Sequence, residues 1–319
     1  MNIIETHALS RVYGKRRAVD SLDMRVAAGE IYGFVGKNGA GKSTAMKMIA
    51  GLVRPTSGSV ELFGAQRRAR EGFSRVGALI EDPGILPTFS ALENLMCKAL
   101  ALGVVRPNAH CRELLELVGL ADTGSLRVKK FSLGMKQRLG LALALVGGPD
   151  LLLLDEPFNG LDPESTRAMR GALVRLNRER GVTTVISSHV LDQLDRMATS
   201  FGVIRSGRMV RELSMDDLHR ECGNSIRIRT NDPARTLAIL EEALPGTALR
   251  AEPDGSILAS AAVRHAATSF GGAAVVPMAP SAEDVARALS EHGLLILELS
   301  HVERDIEEYF VELMGGADA

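Results

Sequence analysis

Two periodicities alternate along the chain. IYGFVG (Ile31–Gly36) is an unbroken apolar run, the pattern of a strand buried on both faces, and it leads straight into GKNGAGKST. From Thr44 the spacing becomes helical, with Met46, Ile49 and Ala50 on one face, and Gly51 ends that helix. SGSVELFG reads as a turn and strand, and RVGALIE as another strand. Residues from about 88 to 146 are predicted helical. Ser90 and Glu93 in SALE make a capping box for a helix to about Leu102, CRELLELVGL is a second amphipathic helix closed by Gly119, and FSLGMKQRLGLALALVG starts a third. LLLLDEP is a buried strand, residues 164–180 a helix, TTVISSH a buried strand and FGVIRSGRMVREL a closing hairpin. Strands alternating with helices predict an α/β sheet carrying a helical insert.

Beyond about residue 220 the texture changes. SIRIRTN alternates like a half-exposed strand, PARTLAILEEAL is a helix with proline at its start, GSILASA and AVVPM are strand-like, SAEDVARALSEHG is a capped helix, LLILELS a strand and VERDIEEYFVELMGG a last helix. Two βαβ-like halves predict a small α+β domain. The expected organisation is residues 1–220 as one domain and 221–319 as an accessory one.

The 319 residues are enough for two domains, and 45 % apolar content supplies their cores. A net charge of -1 argues against nucleic-acid binding by bulk electrostatics. The Arg67, Arg68 and Arg70 cluster is flanked by acids and reads as a solvated face. Cys97, Cys111 and Cys222 form no CxxC pair and fit free thiols in a reducing compartment. The N-terminal MNIIETHALSRVYGKRR lacks the basic-then-apolar pattern of a signal peptide. The longest uncharged apolar run, from Leu139 to Pro149, is about half of the ~18–20 residues a bilayer span needs.

The candidate chemistry starts at GKNGAGKS. Gly36–Ser43 fit G-x-x-x-x-G-K-[ST] between a predicted strand and a predicted helix. Glycine at these positions lets backbone N–H groups turn onto phosphate oxygens, and the helix N-terminus faces the same anion. Gly36, Lys37, Asn38, Gly39, Ala40, Gly41, Lys42, Ser43 and Thr44 form the expected phosphate cradle, with Lys42 reaching the β- and γ-phosphates and Ser43 ligating Mg²⁺. Asp155 ends the LLLLDEP strand, where open α/β sheets bind ligands, and is a second expected Mg²⁺ ligand. Glu156 is placed to polarise an attacking water.

With these residues in order, the chain resembles an ATP-binding-cassette (ABC) ATPase subunit over about residues 1–215. FSLGMKQ (Phe131–Gln137) resembles the family's LSGGQ signature, NGLDP (Asn159–Pro163) its D-loop, with Asp162, and SSHVLDQLD carries its switch histidine, His189. Tyr13 stands where the family stacks an aromatic ring on adenine. The resemblance implies a P-loop NTPase fold with RecA-like core, antiparallel β subdomain and helical subdomain. It also implies ATP and Mg²⁺ as cofactors, with Glu156, His189 and Lys42 catalytic. Two cassettes are implied to meet head to tail, Ser132, Leu133, Gly134 and Met135 of one completing the ATP site of the other. Here Phe131, Leu133 and Met135 depart from LSGGQ, while the phosphate-facing serine and second glycine remain.

The implied partners are a second ATPase subunit and a separately encoded multi-span membrane permease, which places the chain at the cytoplasmic face of the membrane. GALIEDPGILPTFSALENL, FSLGMKQRLGLALAL and IEEYFVELMGG resemble exporters of peptide antibiotics, the bacitracin and lantibiotic self-protection systems. Other members of the family import substrates or work as soluble machines. The soluble types carry coiled coils or two cassettes in one chain, neither of which is present here. Glu81 stands where most of the family has glutamine, and glutamate there is a trait of the peptide-antibiotic exporters. A charged oxygen is a harder Mg²⁺ ligand than an amide oxygen, so Glu81 is an expected third metal ligand. Leu86, Pro87 and Phe89 fit either a docking surface for the permease or packing under the helical insert.

Overall fold

In a computed structural model, residues 1–66, 75–222, 225–261, 280–302 and 306–315 are described. The Arg67, Arg68 and Arg70 cluster, the AVVPM stretch and the start of the last predicted helix lie outside them. The chain divides into two compact units. One runs from Met1 to Ser214 and takes the chain up again from Leu313; the other is Met215–Glu312.

The first unit opens with two long strands, β1 (Asn2–Tyr13) and β2 (Arg16–Ala27), then β3 (Ile31–Val35), α1 (Lys42–Ala50), β4 (Ser57–Leu62), β5 (Ala65–Gln66) and β6 (Val76–Leu79). The helices α2 (Ala91–Ala101), α3 (Pro107–Leu117) and α4 (Leu133–Leu145) follow. The unit closes with β7 (Leu151–Asp155), α5 (Pro163–Arg180), β8 (Thr183–Ser188), β9 (Ser200–Arg205) and β10 (Arg208–Ser214). Two sheets result. β2-β1-β4-β5 is antiparallel, and β10-β9-β3-β8-β7-β6 is parallel apart from its β9–β10 hairpin. All five residues of β3 and all six of β8 are buried, as expected of parallel strands covered on both faces. Their core packs Tyr32, Phe34, Leu151 and Leu153 with Met46, Met48 and Ile49 of α1.

Local signals in the sequence place the helix ends. Gly51, in the left-handed conformation at φ 72°, returns its N–H to α1. The Ser90 hydroxyl accepts from the Glu93 N–H while the Glu93 carboxylate accepts from the Ser90 N–H, a complete capping box worth about 1 kcal/mol. Ser132 caps α4 through the Met135 N–H. α3 begins earlier than the apolar pattern predicts, because Pro107 sits in its first turn where the missing N–H costs nothing. β6 and the loop after it press on α4 at two glycines. A Cβ on Gly77 would overlap the Ala144 carbonyl oxygen, and one on Gly140 would lie 2.7 Å from the Pro83 Cβ.

The second unit contains α6 (Met215–Cys222), β11 (Ser225–Thr230), α7 (Pro233–Ala243), β12 (Thr247–Ala251), β13 (Ile257–Ala261), α8 (Ala282–Glu291), β14 (Ile296–Val302) and most of α9 (Ile306–Leu313). Its sheet is antiparallel in the order β12-β13-β11-β14. Taken as β-α-β-β-α-β with β11 central, this is a ferredoxin-like arrangement. Ile226, Ile228 and Ile257 pack against Leu240, Val285 and Leu289 of α7 and α8. The helix α6 and strand β12 were not predicted. No helix among the described residues is long and apolar enough to cross a membrane.

Candidate active site

The site forms along the carboxyl edge of four consecutive parallel strands. In spatial order β3 runs into the phosphate loop, β8 ends one residue before His189, β7 ends at Asp155 next to Glu156, and β6 ends two residues before Glu81. The registers Val35↔Ser188, Asp155↔Ser187 and Leu79↔Leu154 set these ends side by side. This is the edge where open α/β sheets bind ligands.

The loop before α1 turns on glycines that nothing else can replace. Gly41 has φ 113°, and a Cβ there would lie 2.5 Å from the Ala18 carbonyl oxygen; one on Gly36 would lie 2.5 Å from the Ile204 carbonyl oxygen. Lys42 is 5 % exposed, and its Nζ donates to the Gly36 carbonyl at 2.6 Å. Its charge is met by Glu156 Oε1 at 3.2 Å. Glu156 Oε2 lies 2.9 Å from His189 Nδ1, a contact that orients the imidazole and directs Nε2 elsewhere. The backbone of Glu156 is left-handed at φ 48°, a conformation that costs a non-glycine residue about 1–3 kcal/mol. The Ser187 hydroxyl accepts from the Glu156 N–H at 2.9 Å and donates to Asp155 Oδ1 at 2.6 Å, fixing both acids. Lysine, glutamate and histidine thus form one chain of contacts at the strand ends.

Beside them a cleft of about 420 Å³ is lined by Tyr13, Arg16, Asn38, Gly39, Lys42, Ser43, Thr44 and Glu156, among others. Tyr13 is half-exposed at its rim, with the Arg11 guanidinium 4.5 Å from the ring centroid. Arg16 Nη2 reaches the Gly39 carbonyl at 3.5 Å. Residues from three separated stretches of sequence therefore share one cleft. The donor set suits a magnesium nucleotide: backbone that turns inward only as glycine, a buried ammonium, the Ser43 hydroxyl and the Asp155 carboxylate.

Asp155 and His189 lie at the strand ends and are not among the lining residues, and three further sets of expected site residues stand outside the cleft. Ser132 and Leu133 lie on the surface at the start of α4, with Met135 half-buried and Gly134 buried, and none of the four lines the cleft. Asp162 caps α5 instead: its carboxylate accepts from the Ser165 N–H and hydroxyl, which hold it below the usual carboxylate range. Glu81, left-handed at φ 64° and 66 % exposed at its side chain, accepts from Lys47 Nζ of α1 at 2.5 Å. Motif reading missed Arg16, Lys47 and Ser187. Only Ser187 left a signal, as the hydroxyl two residues before His189 in ISSH.

Fold and site define a P-loop nucleotide-binding cassette. A profile of the family described as ABC transporter matches residues 19–159. The bacitracin transport ATP-binding protein BcrA of Bacillus licheniformis is 36 % identical over 316 residues, 98 % of each chain. The lantibiotic transport ATP-binding protein SrtF of Streptococcus pyogenes is 38 % identical over 214 residues, 67 % of this chain and 92 % of that one. Among solved structures, the ATP-binding cassette MJ0796 bound to ADP and Pi has a TM-score of 0.61 at 22 % identity, covering 66 % of this chain and 98 % of its own. The chain belongs to the ATP-binding subunits of ABC transporters, and its cassette is an ATPase.

Proposed function

We propose that this ATPase drives export of a peptide antibiotic, as a self-protection device, through a separately encoded membrane permease. The observation that carries this reading is the extent of the similarity to BcrA, which covers 98 % of both chains and so includes the second unit as well as the cassette. The exporter-like glutamate at position 81 supports it. The working assembly is a pair of cassettes at the cytoplasmic face of the membrane, each contributing Ser132, Leu133, Gly134 and Met135 to the other's ATP site. That these four residues stand outside their own chain's cleft supports the arrangement.

Within one site, Tyr13 stacks on the adenine and the Gly36–Thr44 loop wraps the phosphates. Lys42 gives up Glu156 as partner for the β- and γ-phosphates. Glu156 then holds the attacking water and takes up its proton, while His189, oriented through Nδ1, points Nε2 at the γ-phosphate. Ser43 and Asp155 would hold Mg²⁺, which supplies charge neutralisation for the phosphates when bound. Glu81 is the third candidate ligand. Its exposed pair with Lys47 is worth only about 0–1 kcal/mol, so exchanging Lys47 for the metal is energetically cheap. Glu81→Gln removes both the ion pair and the charged oxygen. It is expected to weaken the apparent Mg²⁺ affinity of the ATPase by about 3- to 10-fold, read from a magnesium titration at saturating ATP. Unchanged magnesium dependence and transport would make the acid incidental.

Expression with the membrane protein encoded beside it, in a host sensitive to bacitracin and lantibiotics, tests the export reading. Protection that disappears with Glu156→Gln is expected. Uptake of a solute by the same pair, or no protection with ATPase activity intact, would overturn it.

A further inference from the structure

Ser165 is marked by no motif, yet two of the loops named above meet on it. It is 8 % exposed in the first turn of α5. Its N–H donates to Asp162 Oδ1 at 2.9 Å and its hydroxyl to Oδ2 at 2.7 Å, so a single residue engages both oxygens of that carboxylate. On its other side lies Gly134. A Cβ on Gly134 would overlap Ser165 Oγ, lie 2.8 Å from its Cβ and stand 3.7 Å from Asp162 Oδ2. The first turns of α4 and α5 are therefore in contact with no side chain of residue 134 between them.

A second contact runs parallel to the first. Leu133, where LSGGQ has glycine, reaches over Gly160. A Cβ on Gly160 would lie 2.9 Å from Leu133 Cδ2, and φ of 70° already favours glycine there. The loop beneath returns to the catalytic acid through short turns: the Leu161 N–H donates to the Phe158 carbonyl and the Asn159 N–H to the Glu156 carbonyl. An unbroken series of contacts thus runs from Ser132–Gly134 through Ser165 and Asp162 to Glu156.

We propose that Ser165 is a positioning residue for hydrolysis, joining the Ser132–Met135 turn to the Asn159–Asp162 loop so that the two shift as one body. The proposal rests on the reading that this turn completes the ATP site of a second chain. Engagement of Ser132 and Gly134 with a γ-phosphate there pulls on the first turn of α4. Ser165 passes the displacement to Asp162, and the loop carries it to Glu156 in its own chain's site. Each cassette would in this way adjust its own catalytic acid to the occupancy of its partner's site.

The test uses the assembled transporter in vesicles with ATP as the probe, comparing Ser165→Gly, Gly134→Ala and the double variant, with ATP affinity of the purified chain measured alongside. Ser165→Gly is expected to bind ATP within about twofold of the parent, because Ser165 does not line the cleft. Gly134→Ala should lower kcat about tenfold through the clash with Ser165, and the added Ser165→Gly should return at least about threefold of it, since contacting residues couple non-additively. Ser165→Gly alone should lower kcat several-fold at nearly constant KM and bring the Hill coefficient for ATP toward 1. A double variant no better than Gly134→Ala, or Ser165→Gly with parental kcat and Hill coefficient, would overturn the coupling while leaving the ATPase reading intact. Failure of the parent chain to bind ATP would instead overturn the site on which it rests.

Discussion

Glu156→Gln is expected to cut the ATPase kcat of the assembled transporter by about 10²–10⁴-fold, the ordinary range for loss of a positioned general base. ATP binding should survive and strengthen. The Glu156 carboxylate lies 3.2 Å from Lys42 Nζ and so competes with phosphate for it. Glutamine is nearly isosteric and makes no such claim on the ammonium. It also leaves a 5 % exposed lysine without its counter-ion until phosphates arrive, so the free variant should melt earlier than the parent and gain more from added ATP. Thermal melts with and without magnesium and ATP, together with chromatography for an ATP-bound dimer, check both halves. Turnover near that of the parent would remove Glu156 from its role.

The second large effect belongs to Lys42. Lys42→Ala removes a buried ammonium that spans the Gly36 carbonyl and the Glu156 carboxylate. Charge-assisted hydrogen bonds are worth about 1.5–3 kcal/mol, so ATP affinity by calorimetry should fall about 10- to 100-fold. Glu156, its side chain only 20 % exposed, then keeps His189 alone as its partner. Unchanged ATP affinity would count against the phosphate-loop assignment.

These residues were legible in the sequence because their signals are local. GKNGAGKS, LLLLDEP and the Ser90/Glu93 box each place chemistry and structure within a few residues, and the core strands announced themselves as apolar runs. What escaped depends on distance. β12, TALRA, has neither a clean alternation nor a bulky apolar face, and its pairing with β13 establishes it. α6 follows β10 without a break and lies just past the predicted hairpin, which ends at Leu213, so its short stretch drew no reading of its own. Lys47 and Glu81 are 34 residues apart and meet only once α1 and the end of β6 are placed. Ser165 looked like an ordinary first-turn serine; the closeness of Gly134 sets it apart.

Gly77 and Gly140 hold no catalytic group, yet they bear on how such a cassette can change over generations. Where the β6 strand and the Pro83 loop press on α4, the smallest possible mutation adds a methyl that has no room, whereas the exposed faces of the same elements accept almost any residue. Drift in this chain is thus channelled away from the seam beneath α4. Heat-sensitive alleles sought at random should include these two silent glycines, which lie outside the proposed ATP site.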